Sequence, residues 1–251
     1  MTSERLIHLV AHRGNAAEYP ENTLPAFQSA LELGVRFLEL DVHLSRDGIP
    51  MVIHDHLLLR TTGLPGSVFD HDAADLARLE ASEPQRFGDR YSGLKVPALR
   101  EVLGFLAGRP EITLFIDIKQ ASLIQFGHDH VVSQVLEVTR PWRSQCVLIS
   151  SDLAAIHRAR RLGDAPIGWG LTEYDNHSRL KYEALQPQFL FCDHRKLPAG
   201  ERLWQGPWRW VIYDVATLPL AMNLAERGAD YVGTMAVREM SNALRGLRTA
   251  Q

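Results

Sequence analysis

The chain has 251 residues, 45% apolar and 23% charged, with a net charge of −3. That balance offers no electrostatic footprint for nucleic acid or an anionic membrane surface, so any phosphate chemistry must rest on a local cationic site. No apolar stretch reaches the ~18 residues of a membrane span.

The first ten residues, MTSERLIHLV, run straight into a strand pattern without a basic n-region or a long apolar h-region. No secretory leader is expected, and the expected location is cytoplasmic. The first apolar run, LIHLVAHR (6–13), ends on His12-Arg13. Pro20-Glu21-Asn22-Thr23 then opens a helical pattern, LPAFQSALELG (24–34). Asn22 or Thr23 reads as its N-cap, and Glu21 as a partner of His12. FLELDV (37–42) is the second run.

PMVIHDH (50–56) breaks the alternation, because only Arg46-Asp47-Gly48-Ile49 separates it from FLELDVHLS. A parallel crossover needs a dozen or more residues, so this piece must return as a hairpin turned by Asp47-Gly48. Residues 57–97 are too long for a plain loop and are expected to carry short helices and to cover the site. The remaining runs are ITLFIDIK (112–119), CVLISS (146–151), IGWGLT (167–172), FLFCD (189–193), WVIYDV (210–215) and DYVGT (230–234). Helical segments lie between most of them, and LPLAMNLAERG (218–228) stops at Gly228. Cys146 and Cys192 lie in these runs and read as buried free thiols.

Near-continuous apolar runs suit parallel strands buried on both faces. Eight βα units in about 250 residues predict an α/β fold, the (β/α)8 TIM barrel. The whole chain, 1–251, then reads as one barrel domain with a hairpin and an insertion after the second strand.

In such a barrel, chemistry gathers at the carboxyl ends of the strands. His12 and Arg13 end strand one, and Glu39 and Asp41 lie on strand two. The hairpin returns His54, and Asp117 and Lys119 lie on strand three. Residues i and i+2 of a strand share a face, so Glu39 and Asp41 point into the barrel mouth together, as do Asp117 and Lys119. Three carboxylates crowded together raise one another's pKa, and a bound divalent cation relieves this. All-oxygen ligands favour Mg²⁺ or Ca²⁺. The alternative is salt bridging of the acids to Arg13 and Lys119. Arg13 offers a planar fork of donors for phosphate, and His12 and His54 can exchange protons near neutral pH. Together these are the parts of phosphodiester hydrolysis.

Other groups read as structural. His43 packs within its strand and His56 gives support. In His128-Asp129-His130, the acid caps a helix. The Trp204, Trp208 and Trp210 cluster packs helices on the barrel.

The segments AHRG…PENTLPAF, FLELDVHLSRDGIPMVIHD, KVPALREVL and IDIK together resemble the glycerophosphodiester phosphodiesterase family. The likeness is dense over residues 9–64, returns at 95–119 and weakens beyond. It implies a (β/α)8 barrel, one divalent cation, and cleavage of a small-molecule glycerophosphodiester into glycerol 3-phosphate and an alcohol. By motif position, His12 and His54 would be the acid/base pair. Glu39, Asp41 and Asp117 would hold the metal, and Arg13 and Lys119 the phosphate. The chain departs from the family at three places. Asp117 replaces the usual Glu, Tyr213-Asp214-Val215-Ala216 replaces Trp-Thr-Val-Asn, and Thr234-Met235 replaces Thr-Asp. Tyr213 keeps an aromatic wall for substrate. A lysophospholipase D-type cleavage is the first alternative, with Leu57, Leu58, Leu59, Leu64, Val68 and Phe69 as an apolar rim. A barrel that binds a phosphoryl ligand without turnover is the second. Homo-oligomerisation is left open.

Overall fold

A computed structural model describes residues 7–249. The leader expectation for the first residues, and Leu6 of the first run, lie outside the described residues.

In chain order the first elements are β1 (His8–His12), α1 (Leu24–Glu32), β2 (Phe37–Leu44) and β3 (Pro50–Val52). The excursion holds α2 (Leu59–Thr62), α3 (Ala73–Leu76) and α4 (Pro84–Phe87). Next come α5 (Leu99–Phe105), β4 (Thr113–Ile118), α6 (Gln120–Phe126), α7 (His128–Thr139), β5 (Cys146–Ser150) and α8 (Leu153–Leu162). The last third holds β6 (Ile167–Gly170), α9 (Asn176–Leu185), β7 (Phe189–Asp193), β8 (Arg209–Tyr213), α10 (Leu218–Arg227), β9 (Tyr231–Thr234) and α11 (Val237–Thr249).

Eight strands run parallel from β1 through β9, β8, β7, β6, β5 and β4 to β2, and pairing of β1 with β2 closes the barrel. β3 lies antiparallel on β2, with Val42 opposite Val52, so the hairpin forms as the short connection demands. It is shorter than the run PMVIHDH, and His54 stands in the bend beyond its end.

The continuous apolar runs are explained by burial on both faces. Alternate residues such as Leu38, Leu40, Leu114, Ile116 and Leu148 pack outward under the helices. The intervening Val10, Phe115, Val147, Phe191, Val211 and Tyr231 fill the barrel interior. Above that apolar plug the inward positions become polar, which places chemistry at one end of a packed core.

Between β7 and β8 the described residues form a 3₁₀ turn, His194–Lys196, rather than an α-helix. Leu197, Leu203 and Trp208 cover the barrel there, with Trp208 against Tyr182 and Trp204 stacked 3.7 Å from Tyr174. The tryptophan cluster is therefore packing, as its sequence position suggests. The 57–97 excursion has its own small core around Leu58, Val68, Leu76 and Val96. It also grips the loop after β1: Glu83 Oε1 accepts from Glu21 N at 2.6 Å, and Arg86 donates to Ala16 O at 2.7 Å.

Gly14 of the AHRG stretch has φ +82°, and a Cβ there would lie 2.7 Å from the Ala26 backbone in α1. Both the dihedral and the close approach demand glycine. Gly14→Ala is expected to cost about 1–3 kcal/mol from overpacking alone, measured as a lower midpoint in urea unfolding. An unchanged midpoint would refute the close-approach argument.

Candidate active site

The carboxyl ends of the strands open into a cavity of about 360 Å³, lined by His12, Arg13, Glu39, Asp41, His54, Asp117, Lys119 and Tyr213 among others. Strand register does much of this work. His12 pairs with Glu39 across β1 and β2, and Asp41 pairs with Asp117 across β2 and β4.

One carboxylate oxygen from each of Glu39, Asp41 and Asp117 lies within 4.8 Å of the other two. Burial and the neighbouring Asp41 push the Glu39 carboxyl up to about 8. Asp41 goes the opposite way: burial opposes its charge, but Lys119 and Arg13 hold it well below the usual carboxylate range. An all-oxygen donor set with one acid driven toward its neutral form fits a hard divalent cation, whose charge offsets the repulsion. The set converges even with Asp117 at the third position.

Lys119 Nζ lies 3.1 Å from Asp41 and 3.0 Å from Asp117. Burial alone would depress its pKa, but the two acids raise it. Salt bridging thus engages two of the three carboxylates that a cation would draw on. Arg13 has a left-handed backbone, φ 60°. Its Nε lies 3.1 Å from Asp41, and its Nη1 donates to both Glu21 oxygens at 3.2 Å. Glu21 is therefore the partner of Arg13 and of Arg60, not of His12. Two permanent cations are stronger partners for a buried acid than an imidazole.

The cap reading of the PENT stretch also needs correction. Thr23 occupies the N-cap position of α1, but its hydroxyl donates to Pro20 O at 2.6 Å instead of capping. Asn22, at φ 59°, is buried and donates from Nδ2 to Asp41 Oδ2 at 2.9 Å. The buried acid takes the amide that helix capping would have used.

The two histidines follow one plan. His54 Nδ1 donates to Asp55 Oδ1 at 2.6 Å, and Arg60 Nε holds the other Asp55 oxygen at 2.5 Å. His12 Nδ1 lies 3.4 Å from Asp214 Oδ1, and Arg195 Nη2 donates to Asp214 Oδ2 at 2.7 Å. His12 Nε2 faces the acid cluster, 3.8 Å from Glu39. Burial disfavours the charged form of both rings. In His12, Glu39 and Asp214 more than offset it and the pKa rises; in His54 burial prevails and the pKa falls. Two imidazoles pushed apart suit one acid and one base. The Tyr213 ring stands 5.8 Å from that of His12.

His43 does more than pack. Its Nε2 must donate to His54 O (3.0 Å), because a carbonyl only accepts, so its Nδ1 accepts from Ser122 Oγ (2.8 Å). Burial lowers its pKa to about 4, which keeps it neutral in this role. Its spacing two residues from Asp41 was the available signal. His56 stacks on Phe69, as support. His128 binds Asp152 and Asp129 binds Arg158, and Gly127 takes the cap position of α7. The exposed Asp129 is thus a surface ion-pair partner, not a cap.

A second cavity of about 500 Å³ meets the first at His54, Asp117, Lys119 and Ser151, and Leu57 and Gln120 lie along it. Both cysteines are buried free thiols. Among the described residues, no helix is long and apolar enough to cross a membrane.

A glycerophosphodiester phosphodiesterase of Caldanaerobacter subterraneus is 39% identical over 119 residues, 47% of this chain and 48% of that protein. One from Bacillus altitudinis is 37% identical over 129 residues, 51% and 52% of the two chains. The matched stretch thus spans about half the length of these curated relatives. A phosphodiesterase of Oleispira antarctica, solved in complex with sn-glycerol-3-phosphate, shares the fold with a TM-score of 0.82. It is 23% identical, over 96% of this chain and 97% of that one. Residues 12–187, which carry both histidines, the three clustered acids and Lys119, match the glycerophosphoryl diester phosphodiesterase family model, and the chain belongs to that family.

Proposed function

We propose that this chain hydrolyses glycerophosphodiesters to glycerol 3-phosphate and an alcohol, with one divalent cation, Mg²⁺ or Ca²⁺, held by Glu39, Asp41 and Asp117. The observation that carries this reading is the convergence of two imidazoles, Arg13 and Lys119 on a three-carboxylate cluster in one cavity. The family membership of the chain agrees with it.

The cation would supply Lewis-acid neutralisation of the phosphoryl oxygens. Arg13 and Lys119 bind and orient the phosphate. The oxygen of water, or of the glycerol 2-hydroxyl in a cyclising route that water then completes, bonds to phosphorus while one histidine takes its proton. The bond from phosphorus to the alcohol oxygen breaks, and the other histidine protonates that oxygen. His54 and Lys119 stand where the two cavities meet, so the halves of the diester can lie on either side of the phosphate. Tyr213 walls the first cavity. The buried thiols are in keeping with a reducing cytoplasm. Residues 1–251 act as one domain in this reading, with 57–97 as its insertion.

The test is release of glycerol 3-phosphate from glycerophosphocholine and glycerophosphoethanolamine, with EDTA and then with Mg²⁺ or Ca²⁺ restored. The expected result is turnover that EDTA abolishes and one or both ions recover. No turnover with either ion would overturn the proposal. A lysophospholipase D-type reading has one observation in its favour: Leu57 on the second cavity is 55% exposed. Faster cleavage of dispersed lysophosphatidylcholine than of glycerophosphocholine would establish it.

A further inference from the structure

Each imidazole at the site is backed by an acid, and each acid by an arginine. On the His54 side the acid is its own sequence neighbour, Asp55. On the His12 side the acid comes from the far end of the chain. Asp214 follows β8 with φ 61°, a left-handed conformation that few non-glycine residues adopt. Such outliers persist where the surrounding structure holds them, and they cluster at functional sites.

Arg195 does the holding. Its guanidinium donates to Asp193, the last residue of β7, at 2.8 Å and 3.0 Å, and to Asp214 Oδ2 at 2.7 Å. Asp193 in turn caps the 3₁₀ turn that carries Arg195, by accepting from Arg195 N at 2.9 Å. The other oxygen of Asp214 is thereby left at an ion-pair distance of 3.4 Å from His12 Nδ1, a buried nitrogen with no hydrogen-bond partner among the described residues. His12 Nε2 is on the side of the acid cluster. Arg195 and Asp214 both lie beyond the stretch that matches the family model, and Asp214 stands where the family resemblance expects Thr.

We infer that Asp214, clamped by Arg195, is a positioning residue for His12 in this chain. It rests on the reading of the cavity as a glycerophosphodiester site. A carboxylate at Nδ1 keeps the proton on that nitrogen and fixes the ring plane. Nε2 is then the nitrogen that gives and takes protons at the substrate. Asp214 itself touches no reacting atom. It takes over on this side the task that Asp55 performs for His54.

The experiment pairs kinetics with ¹⁵N NMR on the full chain. Asp214→Asn keeps the size but not the charge, and is expected to lower kcat on glycerophosphocholine by about 10–100-fold, with KM within about twofold. Arg195→Gln should act in the same direction and less strongly. In the wild type, neutral His12 should carry its proton on Nδ1, and Asp214→Asn should convert it to a mixture of tautomers. Unchanged kcat in Asp214→Asn, or a wild-type His12 protonated on Nε2, would overturn the inference. A fall in kcat that simply tracks a lower melting temperature would overturn it too, since that is what a structural role produces. A wild type without turnover would sink the functional reading, while the NMR measurement would still decide the positioning of His12.

Discussion

Replacing His12 or His54 by alanine is expected to lower kcat for glycerophosphocholine by about 10²–10⁴-fold, the usual contribution of a positioned acid or base. KM should move little, because Arg13 and Lys119, with the cation proposed at the acid cluster, remain to bind the phosphate. Both variants should fold. The His12 side chain is 12% exposed and the His54 side chain 28% exposed, and both sit at the cavity rather than in the apolar core. Steady-state kinetics at saturating metal, with circular dichroism as a control, checks this. Near-full activity of His54→Ala would overturn the acid/base assignment. In each variant the backing acid keeps its arginine, Asp55 with Arg60 and Asp214 with Arg195.

Asp41→Ala is expected to be the most damaging single change to stability near the site. Asp41 is 1% exposed and contacts Arg13 at 3.1 Å, Lys119 at 3.1 Å and Asn22 at 2.9 Å. Breaking a buried ion pair from one side costs about 3–5 kcal/mol, because the remaining charge is left uncompensated. Arg13 keeps Glu21 and Lys119 keeps Asp117, so the lower end of that range is expected. For a chain of this size, about 3 kcal/mol corresponds to a fall in melting temperature of roughly 6–12 °C. Activity should vanish as well, since the acid cluster loses its central member. Calorimetry with and without metal measures both effects. A loss below about 1 kcal/mol would show that Asp41 is dispensable to the fold. Asp117→Asn is the contrast: its side chain is 23% exposed, so it should weaken metal dependence with a much smaller stability change.

The barrel could be read from the chain because its information is local. A strand buried on both faces must be apolar at consecutive positions, and Leu38, Leu40, Leu114 and Ile116 on one face with Val10, Phe115 and Val211 on the other meet that demand. The hairpin followed from chain length alone, since Arg46–Ile49 cannot span a parallel crossover. The clustered acids and Lys119 followed from the two-residue period of a strand combined with the rule that barrel chemistry sits at carboxyl ends.

Other features had no local signature. The packing of the segment between β7 and β8 depends on Trp204 and Trp208 finding Tyr174 and Tyr182, which are distant in the chain. The role of Asn22 depends on Asp41, and that of His43 on the backbone of His54. Asp214 reaches His12 only because β9 pairs with both β1 and β8, which brings the end of β8 around the closed barrel to the end of β1. Residue type and spacing along the chain thus determined the strands, their inward faces and the chemical groups displayed there. Closure of the barrel decided which distant side chains hold those groups in place, because hydrogen bonds and ion pairs require ångström-scale approach that only strand register and packing between remote elements can set.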